Sequence, residues 1–339
     1  MSASRTSSLA VLLVALGLTA CSDGQSTAGA KTGKYTIAVI PMSAQHDFWH
    51  SVHAGAVRAA KELGNVEIIW KAPLHNEDRQ QQIDIVESMA VLGVDGIVLA
   101  PVDNVALAGS VEDAVRQGIP VVIIDSALKS DQQVSFIATD NYQGGVVGAQ
   151  HLSTLLGGKG KVIMLRNNEG PTSTANREQG FLDTIKKYPG IEVVSSNQRA
   201  GATPESAYQK AEQLLATFRK EGGGIRADGI FTSCEPVTFG MMRAMEEEKL
   251  IGTVKHVGFD ASPALVDGLR KGYVDALVVQ DPMKMGYRGI QTIVQHLKGD
   301  TSFEQRQDTG VYVVTQKNVD DPEKKDLVAP DLEKWLKDR

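Results

Sequence analysis

The chain has 339 residues, 42% hydrophobic and 22% charged, which is enough for one large core or two ordinary ones. A net charge of -6 with no basic run excludes nucleic acid as the main partner, because phosphate binding needs a basic surface. The only cysteines, Cys21 and Cys234, exclude a disulfide scaffold.

In chain order, residues 1–20 read as a targeting segment. Arg5 supplies a thin positive region, and the apolar stretch from Leu9 to Leu18 is too short to span a bilayer. It ends Leu18-Thr19-Ala20-Cys21, which resembles a bacterial lipobox whose cleavage leaves Cys21 as a lipid-modified N-terminus. The alternative is an ordinary signal with a cysteine next to its cleavage site. Lipid on Cys21 would anchor the chain to a membrane without spanning it. Residues 21–34 are rich in Gly, Ser, Thr and Ala and read as a flexible tether.

From Lys34 the sequence KYTIAVIPMSAQHDFW gives an apolar strand, a polar turn and two aromatics opening a helix. Strand patterns follow over 36–42, 66–71, 96–102, 120–126, 134–140, 161–167, 191–197, 229–234, 254–260 and 274–280. Helix patterns fall at 47–63, 77–92, 105–117, 141–156, 174–187, 204–220, 236–249, 262–271 and 282–297. The strand runs are β-branched without alternation, as parallel strands covered on both faces should be. Repeated βα units predict an α/β fold of doubly wound parallel sheets. The pattern breaks at 134–140, where strand follows strand, and a single ten-stranded sheet is large. Two lobes of about five strands each suit the length better. Residues 321–339 read as a charged surface tail ending in a short helix.

Ligands of open α/β sheets bind beyond the carboxyl ends of the strands. The polar and aromatic residues at those ends are His46, Phe48, Trp49, Asp125, Arg177, Glu235, Asp260 and Gln280, with Cys234 beside them. Carboxylates and Arg can hold a hydroxyl from both sides, and an aromatic can cover the C–H face of a sugar ring. Each residue has a plainer role open to it. Phe48 and Trp49 suit the core, Asp125 and Asp260 suit caps, Arg177 suits an exposed helix face, and Gln280 suits a turn before Pro282. Cys234 reads as a small buried hydrophobe rather than a nucleophile.

The segments IAVIPMSAQHDFW (37–49), GVDGIVLAPVD (93–103), GIPVVIIDS (118–126), IATDNYQGG (137–145), TSTANREQGF (172–181), VGFDASP (257–263) and ALVVQDPMKMG (276–286) resemble, in order and spacing, the ribose-type periplasmic sugar-binding proteins of bacterial ABC importers. The resemblance implies two similar lobes joined by a three-segment hinge that closes on sugar. The lobes would be 35–139 plus 281–308 and 140–280 plus 309–320. It implies that Phe48 and Trp49 line the sugar ring, that Asp125 and Asp260 accept from hydroxyls, that Arg177 donates, and that Gln280 binds a hydroxyl beside the hinge. His46 stands where the ribose binders have an amide, Ser126 where they have Arg, Ala100 where they have Asn, and Cys234-Glu235 where Asn falls. They also place an aromatic near Ala202. These departures point to a different monosaccharide or polyol, with His46 and Glu235 as substitute contacts. The expected partners are a small sugar or polyol, an ABC permease and the membrane through the anchor, for a monomer in the cell envelope.

Other functions read less well. His46, His50 and His53 are spaced for one helix face, so zinc is geometrically possible, but no metal is assigned. No phosphate loop, nucleophile elbow or Cys/His pair supports an enzyme or a cofactor. A ligand-presenting protein for a membrane sensor or chemoreceptor is the alternative to a transporter component.

Overall fold

The computed structural model describes residues 33–44, 46–74, 78–201 and 203–337. The expected signal segment, Cys21 and most of the tether lie outside these residues.

The chain runs β1 (Tyr35–Ile40), α1 (Asp47–Leu63), β2 (Val66–Trp70), α2 (Arg79–Leu92), β3 (Gly96–Leu99), α3 (Ala108–Arg116), β4 (Val121–Ile124) and β5 (Ser135–Ala138). It continues α4 (Asn141–Leu155), β6 (Lys159–Arg166), α5 (Thr172–Ile185), β7 (Gly190–Arg199), α6 (Pro204–Thr217), β8 (Gly229–Thr232), α7 (Glu235–Glu247) and β9 (Lys255–Phe259). Then follow α8 (Pro263–Lys271), β10 (Ala276–Val279), α9 (Pro282–Leu297), β11 (Arg306–Asp308), β12 (Tyr312–Thr315), α10 (Pro322–Val328) and α11 (Glu333–Leu336).

The strands form two sheets, β11-β5-β4-β3-β1-β2 and β12-β10-β9-β8-β6-β7. The two orders are the same pattern repeated. Every pairing in the first sheet is parallel, and in the second only β12 runs antiparallel, against β10. Strands such as VVII in β4 and ALVV in β10 are buried along their whole length because helices cover both faces.

Sheet membership switches three times. The chain leaves the first sheet after β5, and α4 then packs on β8, β9 and β10. It returns after β10, so that α9 packs on β3, β4 and β5. It switches again between β11 and β12. Two of these switches are pinned by helix caps. Asp140 accepts from the Gln143 N–H at 3.0 Å, and Asp281 accepts from the Lys284 N–H at 2.9 Å.

Each sheet has six strands where five were expected. The sequence of β11 is Arg-Gln-Asp, with no apolar residue to announce a strand, and it holds its place by parallel pairing with β5. The start of α3 falls at Ala108 and not at 105, because the Asp103 carboxylate accepts from the N–H groups of Val105 and Ala106 and holds a turn there. The tail carries two short helices. Val328 is buried in a cluster with Leu265 and Val266 of the second lobe, whereas Trp335 packs on the core of the first, so the tail spans both. No helix among the described residues is long and apolar enough to cross a membrane.

Candidate functional site

The carboxyl ends of the two sheets face each other across a cavity of about 60 Å³. One water needs about 10–15 Å³ on this scale, so the space suits one small polar solute. All eight residues nominated from the sequence line it: His46, Phe48, Trp49, Asp125, Arg177, Glu235, Asp260 and Gln280. The structure adds Asn167, Asn168, Ser173 and Thr174. Asn167 and Asn168 directly follow β6, so the strand-end rule applied to that strand would have found them. Ser173 and Thr174 open α5, and their placement depends on where that helix starts.

Asp125 and Asp260 occupy equivalent places in the two sheets. Each follows a strand, and each backbone N–H bonds the neighbouring strand, Asp125 to Ile137 O at 3.0 Å and Asp260 to Val278 O at 2.8 Å. Both have left-handed backbones, with φ of 60° and 70°. That conformation is uncommon for a residue with a side chain, and it clusters where function holds the chain against local preference. It turns the chain away from the sheet while both carboxylates line the cavity. Burial pushes the Asp125 carboxyl up to about 6; Arg177 opposes the rise and Asp260 adds to it. Asp260 is also raised by burial, against the pull of Arg177 and Gln280.

Arg177, on α5, lies between the two aspartates. Its Nη2 is 3.9 Å from Asp125 Oδ1 and its Nη1 is 3.6 Å from Asp260 Oδ2. Its position is set from behind: Nε donates to Asn141 Oδ1 at 2.8 Å, Nη1 donates to Ser233 O at 3.1 Å, and the guanidinium lies 4.0 Å from the centre of the Phe259 ring. Asn141, the first residue of α4, donates in turn to Asp125 O at 3.3 Å. The exposed-charge alternative for Arg177 is therefore wrong, since the residue is 2% exposed. Gln280 Nε2 donates to Asp260 Oδ1 at 2.6 Å, which fixes the amide and leaves its Oε1 buried without a partner. Asn167 Oδ1 and Asn168 Oδ1 are likewise buried and unpartnered. Unpaired buried acceptors are costly, and here they belong to residues that line a cavity.

The lobes touch beside the cavity. Ser173 Oγ donates to Asp125 Oδ2 at 3.3 Å, and Ala127 N donates to Thr172 Oγ1 at 2.8 Å. His46, the N-cap of α1, places Nδ1 3.6 Å from Glu235 Oε2, at the first residue of α7. Burial pushes the Glu235 carboxyl up to about 7, with Asp260 and Asp47 adding and Ser262 opposing. Phe48 and Trp49 meet edge to face at 4.8 Å; Trp49 is buried in the first core and also lines the cavity, so packing and lining are not exclusive roles. Cys234 is buried, and burial pushes its thiol well up, which keeps it neutral. The three histidines have different neighbours: His46 faces Glu235, His50 pairs with Asp47 at 3.7 Å, and His53 stacks on Trp70 at 4.2 Å.

A family model described as "Periplasmic binding protein domain" matches residues 37–301. The D-ribose/D-allose-binding protein of Pseudomonas aeruginosa is 29% identical over 319 residues, 90% of this chain and 97% of its own. The xylitol-binding protein of Mycolicibacterium smegmatis is 29% identical over 76% of this chain and 69% of its own. Among solved structures, an ABC transporter solute-binding protein from Agrobacterium vitis with bound D-fucose superposes with a TM-score of 0.81 and 32% identity, over 86% of this chain and 99% of its own. A carbohydrate transporter solute-binding protein from Agrobacterium radiobacter in complex with D-arabinose gives 0.82 and 32%, over 88% and 99%.

Proposed function

The chain belongs to the periplasmic binding protein family, as a sugar-binding protein of the ribose type, and on that premise we propose that it captures one monosaccharide or small polyol between its lobes and hands it to an ABC permease. It is a binding protein and not an enzyme. In this reading the solute enters an open cleft, the hinge closes, and the permease recognises the closed form. Affinity is the intrinsic contact energy reduced by the cost of closure. In this reading Cys21 carries the lipid that anchors the protein to a membrane on its periplasmic or extracytoplasmic face, with residues 21–34 as tether.

The observation that carries the reading is the Asp125–Arg177–Asp260 triad, contributed from both lobes and buried around a solute-sized cavity with an aromatic wall. Two carboxylates and a guanidinium buried together destabilise a protein unless their remaining hydrogen-bond sites are used. The hydroxyls of a sugar, each both donor and acceptor, use them. Relatives named for ribose, allose and xylitol, and neighbours holding D-fucose and D-arabinose, point to the same solute class.

The test is a thermal-shift screen of the purified protein against pentoses, hexoses, polyols and inositols. A ligand at about 1,000 times its Kd adds about 4 kcal/mol and moves the midpoint by several degrees. One clear hit, confirmed by calorimetry, supports the reading; a folded protein that responds neither to these nor to the corresponding amino sugars removes it. The anchor is tested by mass spectrometry of the membrane-fraction protein, which should find acyl chains on Cys21 and none after Cys21→Ser.

A further inference from the structure

The cavity is short of positive charge. Three carboxylates line it, those of Asp125, Asp260 and Glu235, and Arg177 is the one Arg or Lys among its described lining residues. Arg177 spends two of its five N–H groups on Asn141 Oδ1 and Ser233 O, and its single charge is shared between Asp125 and Asp260. His46 can neutralise at most one carboxylate, its nearest being Glu235 at 3.6 Å. An uncompensated buried charge is expensive, so the site must gain a proton or a cation.

A second, independent observation concerns unspent hydrogen-bonding capacity. Three fully buried acceptors on residues that line the cavity have no partner: Gln280 Oε1, Asn167 Oδ1 and Asn168 Oδ1. Gln280 is 1% exposed, and its amide orientation is fixed by the 2.6 Å bond from its nitrogen to Asp260. Such acceptors favour a solute rich in donors. An ammonium has three donors and no acceptor, whereas each hydroxyl brings one donor. The Phe48–Trp49 wall is also a surface on which a cation rests favourably.

We propose that the solute taken by this cleft carries a cationic nitrogen, as an amino sugar or amino polyol does, with its ammonium on the side of the cavity where Glu235 and Gln280 flank Asp260. The placement follows from Asp260, whose two oxygens accept from the Glu235 N–H and from Gln280 Nε2. The raised carboxyls of Glu235 and Asp125 fit this site, because an ammonium provides by contact the charge that protons otherwise bring. The proposal rests on the sugar-binding reading above and narrows it to one class.

The test compares matched probes by calorimetry at neutral pH: D-glucosamine, D-galactosamine and D-mannosamine, each against its parent hexose and its N-acetyl derivative. At least one amine should bind about 10- to 100-fold tighter than its neutral partners, the worth of one charge-assisted hydrogen bond. Glu235→Gln should shrink that gap, costing the amine more affinity than it costs the parent hexose. A neutral sugar that binds as well as its amine, or a gap unchanged in Glu235→Gln, overturns the amine and leaves the sugar-binding reading standing. Silence from the amines, alongside a hit in the neutral screen, does the same. Silence in both screens overturns the two together.

Discussion

Replacing Glu235 by Gln should make the unliganded protein more stable in a pH-dependent way. The Glu235 carboxyl is raised from an ordinary 4.5 to about 7, chiefly by burial. In the unfolded chain it loses its proton near 4.5, whereas in the folded chain it keeps that proton until about 7. Between these values the native state binds more protons than the unfolded one, so stability falls as pH rises. The contribution is fully present below 4.5 and is lost by the time pH passes about 7. The interval corresponds to about 3 kcal/mol at 1.36 kcal/mol per pH unit. Gln has nearly the same shape and no charge to bury. Urea unfolding of both proteins from pH 4 to 8 therefore gives a difference curve near zero at the acid end that rises to about 3 kcal/mol in favour of the variant above pH 7. The difference isolates this group from His256, whose own buried ring is lowered to about 4 and acts in the opposite direction in both proteins. A difference curve flat across the range refutes the argument that burial in a dry, carboxylate-rich site keeps Glu235 protonated up to about pH 7.

Three further outcomes follow from the same geometry. Asp125→Asn keeps a residue tolerant of the left-handed backbone and removes the charge, so it should weaken solute binding by about 2–3 kcal/mol, roughly 30- to 150-fold, in calorimetry; unchanged affinity dismisses Asp125 from the site. Arg177→Met leaves two buried aspartates without their shared cation and should cost about 3–5 kcal/mol of stability in denaturant unfolding, with a loss under 1 kcal/mol counting against the triad. Gly145→Ala should disturb the site from a distance. Its new Cβ would lie 1.9 Å from Arg177 O, so α4 and α5 must part and Arg177 must move. We expect a loss of about 1–3 kcal/mol together with weaker binding, and a variant with wild-type stability and affinity contradicts the close helix crossing.

Much of this molecule is legible in one dimension because its strands are buried on both faces. Runs such as GIVL and VVII, β-branched and set between helix patterns, read as parallel core strands, so the repeated βα pattern and the polar residues after each run locate the cleft before any coordinate is known. The eight nominated residues line one cavity for that reason. Local pattern says nothing of β11, a three-residue polar strand that exists only because β5 offers it an edge. Nor does it pair the first residue of α4 with a guanidinium 36 positions away, as Asn141 and Arg177 are paired.

The sequence by itself determined the fold class, the family and the kinds of side chain at the cleft, because these follow from periodicity, ordered motifs and residue chemistry. Only the tertiary structure decided the site's electrostatics. Arg177 could have been an exposed helix charge and Glu235 an ordinary surface acid. Folding the second lobe against the first removed water from both, set three carboxylates around one guanidinium, and left amide oxygens of the lining residues buried without donors. Burial and charge balance are sums over neighbours distant in the chain, and no local reading of the sequence contains them.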